Sequence, residues 1–80
     1  MKVIKRNGQE LDYDREKIII AISKANKEVP FNEKISEDKI YDIVQSIEDR
    51  NQETMQVEDI QDIIEQKLMA EKKFILAKTY

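Results

Sequence analysis

Three cations near the start of the chain are the side chains best suited to chemistry. Lys5 and Arg6 stand side by side before Asn7-Gly8, and Lys17 follows a short way on. An ammonium offers a compact point charge and a guanidinium a planar fork of donors, and both suit phosphate oxygens. Their chemistry is recognition of an anion rather than the making of bonds. The chain contains no His and no Cys. It therefore lacks the usual general base near neutral pH, a thiolate nucleophile, and the two ligand types that dominate zinc sites. Carboxylates are abundant but fall mostly on helix faces expected to be exposed, where solvation suffices as their role. Neither a G-x-S-x-G turn nor a Walker pattern is present, and the single Gly8 excludes a glycine-rich phosphate loop. Taken alone, the segment reads as non-catalytic.

The charge is unevenly spread. Overall it is −3, but residues 1–27 carry seven Lys or Arg against four Asp or Glu, a net of +3. Residues 28–80 carry seven against thirteen, a net of −6. An acidic domain is a poor candidate for binding nucleic acid, which calls for a broad basic face. A small basic patch on an acidic body fits a compact polyanion such as a nucleotide. By charge alone, a solvated face accounts for the same residues.

The elements that must position these cations can be read from breaks and periodicity. Asn7-Gly8, flanked by Lys2-Val3-Ile4-Lys5 and Glu10-Leu11-Asp12-Tyr13, predicts a β-hairpin over residues 2–13 with a two-residue type I′ turn, both turn residues at positive φ. Asp14 is placed to cap a helix, with Ile18, Ala21, Ile22, Ala25 and Val29 forming its buried stripe and Ile19 and Ile20 widening it. This helix should end near Lys27, because Pro30 forces residue 29 out of helical geometry. Residues 28–35 read as a loop. Ser36 is the next cap, with Ile35 and Ile40 spaced as a hydrophobic staple and Ile40, Ile43, Val44 and Ile47 facing inward. A third helix should run from about Val57 to Ala70, with Val57, Ile60, Ile63, Ile64, Leu68 and Met69 inward. A last segment from Phe74 to Tyr80 places Phe74, Ile75, Ala77 and Tyr80 at helical spacing. Thr54-Met55-Gln56 is too short to assign by pattern and is a candidate third strand. Thirteen residues are Ile against three Leu, so helices built with so many β-branched residues must be held by packing rather than propensity.

A hairpin folded back on the first helix would bring Lys5, Arg6 and Lys17 to the N-terminus of that helix, where free N–H groups and the dipole already favour an anion. Lysine in a first helical turn is unfavourable by itself. It asks for a partner, which could be Asp14, Glu10 or a ligand.

At 80 residues the chain is one domain, and a domain of this size buries only about 60% of the surface its unfolded chain exposes. No apolar run approaches the roughly 18 residues of a membrane span, and no signal-peptide core is seen at the N-terminus. The expectation is a cytoplasmic chain with no membrane or nucleic-acid partner. Met1 reads as a start, while Ala77-Lys78-Thr79-Tyr80 stops within an apolar-periodic segment, so the expected whole is a longer chain with this domain at its N-terminus.

Val3-Ile4-Lys5-Arg6-Asn7-Gly8 followed by Tyr13-Asp14-Arg15-Glu16-Lys17-Ile18 resembles the signature of the ATP-cone family, roughly V-x-K-R-D/N-G and then D-x-x-K-I. Val57-Glu58-Asp59-Ile60-Gln61-Asp62-Ile63-Ile64-Glu65 and the ending Phe74-Ile75-Leu76-Ala77-Lys78-Thr79-Tyr80 extend the resemblance over the whole chain, in order. It implies an α+β fold, a small bundle of three to four helices capped by the N-terminal hairpin and a short third strand, which would be Thr54-Met55-Gln56. It implies an allosteric effector, ATP or dATP with Mg²⁺, acting on the large subunit of ribonucleotide reductase and its oligomeric assembly. By position, Lys5, Arg6 and Lys17 would hold phosphates, with Asp14 beside them. Val3 and Ile18 would pack the adenine, and the Asn7-Gly8 turn would form a lid. Val57 and Gln61 would line the ribose and phosphate side. Two positions depart from the family pattern. Relatives carry His or Asp where this chain has Gln61, and Glu near Leu11, which bears on the choice between ATP and dATP.

Two other readings stand beside this one. The same domain occurs in a zinc-ribbon repressor of reductase genes, but there it follows four cysteines, which this chain lacks. The other is a helical interaction module that binds a protein and no nucleotide, using exposed Phe31, Tyr41 and Phe74. Val3 and Ile18 serve equally well as ordinary core.

Overall fold

A computed structural model describes residues 1–80. Two short strands, β1 (Lys2–Ile4) and β2 (Glu10–Asp12), form the antiparallel hairpin, with Val3 opposite Leu11. Its turn differs from the expected one. Gly8 has φ +86°, but Asn7 is not at positive φ. Lys5 donates its N–H to the Gln9 carbonyl (2.9 Å) and accepts from the Gly8 N–H (2.9 Å). The loop is therefore three residues long, with Gly8 at the left-handed bulge position, rather than a two-residue type I′ turn. Asn7 has a different part to play: its Oδ1 accepts the Gln9 N–H at 3.0 Å, a side-chain turn that shields one donor of the loop.

Helix α1 (Arg15–Glu28) starts where expected, with the Asp14 carboxylate accepting the Glu16 N–H at 3.0 Å. Ile19, Ile22, Ala25 and Val29 are buried and Ile18 is half-buried. Ile20 (62% exposed) and Ala21 lie outside the stripe, so α1 is covered on one side and not on two. After Pro30 the expected loop holds a single turn of 3₁₀ helix, Phe31–Glu33. The Asn26 amide clamps this loop by exchanging two 2.9 Å hydrogen bonds with the backbone of Ile35.

Helix α2 (Glu37–Glu48) is capped by Ser36, whose hydroxyl accepts the Lys39 N–H, and Ile35 and Ile40 are both buried as a staple requires. Strand β3 (Thr54–Gln56) then pairs in parallel with β1, giving the order β2-β1-β3. Helix α3 (Val57–Ala70) leaves β3 without an intervening loop, and α4 (Phe74–Thr79) closes the fold. In α3 the expected inward residues are buried except Met69, which is exposed, and Val57, which is half-buried. In α4 the buried pair is Leu76 and Ala77, while Phe74 and Ile75 are exposed. Glu33 supplies the cap that α4 lacks, its Oε1 accepting the N–H groups of Ile75 and Leu76. The architecture is the expected α+β one: four helices and a three-stranded sheet.

All sixteen buried residues are apolar, and nine of them are Ile. The core offers no polar chemistry, so any site must lie at its edge. One row across the sheet points to that edge. Leu11, Val3 and Met55 are in register, and exposure rises from 5% at Met55 to 37% at Leu11. No helix is long and apolar enough to cross a membrane.

Candidate functional site

Where that row loses its cover, a cleft of about 310 Å³ opens between the sheet, the start of α1, the start of α3 and the end of α4. Its size is at the low end for small-molecule sites. Val3, Leu11 and Asp12 line it from the sheet, with Lys5 just beyond β1. Tyr13, Asp14, Lys17 and Ile18 come from the start of α1, Val57, Ile60 and Gln61 from α3, and Tyr80 follows α4. A shallower groove along Leu11 to Lys17 continues it outward.

The cleft has an apolar end and a charged end. Val3, Ile18, Val57 and Ile60 supply aliphatic wall. Lys5 and Lys17 supply the charge, and neither is within ion-pair distance of a carboxylate. The two acids nearby are otherwise engaged. Asp12 is paired with Lys2, which holds its carboxyl below the usual range, first through their hydrogen bond and then through charge. Asp14 caps α1. Lys17 is the third residue of α1, beside the helix N-terminus, as its spacing from Asp14 predicts.

Arg6 takes another direction. Its Nε lies 3.0 Å from Glu58 Oε1, and its Nη2 donates to Gln61 Oε1 at 3.3 Å. It thus fastens the hairpin turn to the first turns of α3 at the rim of the cleft. Of the residues singled out by sequence, Val3, Lys5, Asp14, Lys17, Ile18, Val57 and Gln61 converge on the cleft, while Arg6, Asn7 and Gly8 do not line it.

Leu11, marked in sequence only as a departure from the family pattern, is a wall residue, and Tyr13, Ile60 and Tyr80 are wall residues to which the motifs give no site role. Apolar periodicity marked them only as core candidates, and nothing local in sequence says that their covered side faces a cleft. Tyr13 is held from behind. Its hydroxyl donates to Glu48 Oε2 at 2.7 Å, and Arg15 Nε reaches the same oxygen at 3.0 Å. Burial of the ring, and then the Glu48 carboxylate, push the Tyr13 phenol well above the usual range, so it remains a donor. The last residue of α2 thereby fixes one wall of the cleft.

A depression between α2 and α3, lined by Lys39, Asp42, Lys67 and Glu71 with only Ile43 and Ala70 as apolar residues, is bridged by the Lys39–Glu71 ion pair at 2.7 Å. It lacks the two-ended character of the first cleft. No group of three or more His, Cys, Asp or Glu is placed to hold a metal ion.

Among curated proteins none matches the chain. A family model described as the ATP cone domain matches residues 1–80. A match over the whole chain, on a fold with the expected hairpin, third strand and four helices, means that the protein belongs to the ATP-cone family of nucleotide-binding regulatory domains.

Proposed function

We propose that the cleft is the adenine-nucleotide site of a regulatory domain, with the base at the aliphatic end and the phosphates at the cationic end. The observation that carries this reading is the pairing, in one cleft, of an apolar wall with two ammonium groups that have no carboxylate partner. Val3 and Ile18 would face the base. Lys5 and Lys17 would meet phosphate oxygens, together with the N-terminus of α1 that Asp14 holds in place. Val57 and Gln61 would line the ribose and phosphate side. Arg6 would join the phosphates by leaving Glu58, and the Asn7-Gly8 turn would move with it as a lid. A Mg²⁺ would arrive on the nucleotide, keeping phosphate oxygens and water as ligands, which is its habit where no protein cage exists.

The wider role follows from the family resemblance of the motifs. The domain, residues 1–80, would sit at the N-terminus of a ribonucleotide reductase large subunit. There it would set overall activity through ATP or dATP by changing how subunits assemble. Phe31, 89% exposed, together with exposed Phe74 and Tyr41, is available surface for such assembly.

Calorimetric titration with ATP and with dATP, paired with thermal melting, tests the reading. A ligand at about 100 times its dissociation constant adds roughly 2.7 kcal/mol. In a domain this small that is a rise of many degrees. Absence of both heat and melting shift with either nucleotide would leave the protein-interaction reading in its place.

A further inference from the structure

We propose that Tyr80 is the residue that reads the base, an assignment that rests on the nucleotide reading of the cleft. Two aromatic rings border the cleft, Tyr13 and Tyr80. They are not equivalent. The Tyr13 hydroxyl is already donated to Glu48 at the far side of the wall. The Tyr80 hydroxyl makes no hydrogen bond within the chain, although the ring is half-buried and packed against the core. Burial, and then the negative charge of Glu65, raise the Tyr80 phenol above its ordinary range. At neutral pH it is therefore a protonated donor, in a cleft whose apolar wall is otherwise aliphatic apart from the Tyr13 ring.

The position of Tyr80 is set by structure rather than by chance exposure. Leu76 and Ala77 are buried against the bundle, and the Tyr80 N–H donates to the Leu76 carbonyl at 2.9 Å. The last turn of α4 thus delivers the ring to the cleft. A purine has a flat π face and ring-nitrogen acceptors. Tyr80 offers a flat face and one free donor, whereas Val3 and Ile18 offer contact without direction. A hydroxyl near the ring edge meets an acceptor at adenine N1 but a proton at guanine N1, where it would have to turn and accept instead, so the two bases offer it different partners. The cations at the other end read phosphate and cannot make that distinction.

The test separates the two ends of the ligand. The parent, Tyr80→Phe and Tyr80→Leu are titrated with ATP, with GTP and with inorganic tripolyphosphate, and each is melted without ligand. Base–aromatic stacking is strong enough that Tyr80→Leu should weaken ATP about tenfold. Tripolyphosphate should change less than about twofold, because it has no base to stack. Tyr80→Phe should keep most of the ATP affinity and narrow the ATP-to-GTP ratio by about threefold, one hydrogen bond's worth. Equal weakening of ATP and tripolyphosphate in both variants would make Tyr80 merely structural and overturn the proposal. So would ATP affinity unchanged in Tyr80→Leu. A parent that binds no nucleotide at all overturns the site reading itself, a result distinct from either of these.

Discussion

The helical body and the hairpin meet at the cleft but are held together by different means. In the body, α1, α2 and α3 contribute most of the sixteen buried residues, with Ile22, Val44, Ile47, Ile64 and Leu68 at 0–1% exposure. In the hairpin, strands of three residues carry one half-buried Val and one half-buried Ile, and every residue of β2 is exposed. The hairpin keeps its place through backbone pairing to β3 and through Arg6, which ties its turn to Glu58 and Gln61. Stability therefore resides in the body, while Lys5 and Arg6, proposed to meet phosphates, reside in the less buried hairpin. A domain arranged in this way can alter its ligand-facing side without risking its fold, and substitutions on the two sides should separate cleanly.

The largest effect should come from the body. Ile64 is fully buried, and Ile64→Ala should cost about 2–5 kcal/mol of stability, through lost transfer energy and the cavity left behind. Whole domains are stable by only about 5–15 kcal/mol, so the melting temperature should fall steeply. The nucleotide affinity of the molecules that remain folded should be unchanged within about twofold. Urea unfolding with and without ATP measures both quantities. A parallel loss of affinity would mean that the core sets the cleft geometry and that the separation of the two regions is wrong.

Lys17 tests the seam between them, since it belongs to a helix of the body but faces the cleft. Lys17→Ala should weaken ATP and dATP alike by about 1.5–3 kcal/mol, the range for hydrogen bonds to charged groups. The ligand-free domain should be no less stable. Removing a cation from a helix N-terminus relieves an unfavourable dipole interaction of about 0.3–1 kcal/mol. Titration of both nucleotides and melting of the free protein check the two halves. Unchanged affinity would return Lys17 to the solvated surface.

Which parts of this arrangement could be read beforehand follows from how local their causes are. Caps, staples and strand–turn signals act over a few residues, so Asp14, Ser36 and the hairpin were legible. The identity of the turn was not, because Asn-Gly serves both a two-residue loop and the end of a three-residue one. The choice is made by the pairing of Lys5 with Gln9, which places Leu11 opposite Val3. Ile20 and Met69 follow apolar spacing yet lie exposed, since periodicity names a face but not what covers it. The cleft was legible as cations and as motif. Its remaining wall, Tyr13 and Tyr80, depends on contacts between elements distant in sequence, among them the bond from Tyr13 to Glu48.

The turn offers a smaller test. Gly8 has open space around the position of a Cβ, so a side chain there would meet no neighbour. The cost of Gly8→Val is conformational alone: φ +86° forces a β-branched residue into the left-handed region, at about 1–2 kcal/mol. Part of that cost is avoided if the loop rearranges, and then Lys5 and Arg6 are misplaced. Nucleotide affinity should drop while helix content by circular dichroism is retained. Gly8→Asn, which tolerates the same φ, should restore most of the binding. Binding by the valine variant equal to the parent's would mean that the turn is no lid.

The smallest effect is also the most discriminating, because its two parts have opposite signs. In the free domain Glu58 occupies Arg6, at 3.0 Å, and stands in the first turn of α3. Both roles stabilise the empty protein. The ion pair is well exposed on both sides, which limits it to about 0.2–1 kcal/mol, and an acid at a helix N-terminus adds about 0.3–1 kcal/mol. Toward a triphosphate the same carboxylate acts as a competitor: it holds the guanidinium that the phosphates would use, and it repels them. Glu58→Gln should therefore lower the melting temperature of the free domain slightly while tightening ATP about two- to fivefold. The gain should shrink from ATP to ADP to AMP as the phosphates that reach Arg6 are removed. It should fade as salt is raised, since both groups are exposed and screened. If the variant instead bound ATP more weakly, Glu58 would be holding Arg6 in place for the ligand, and the clasp between the hairpin and α3 would be a feature of the bound state as well as the empty one.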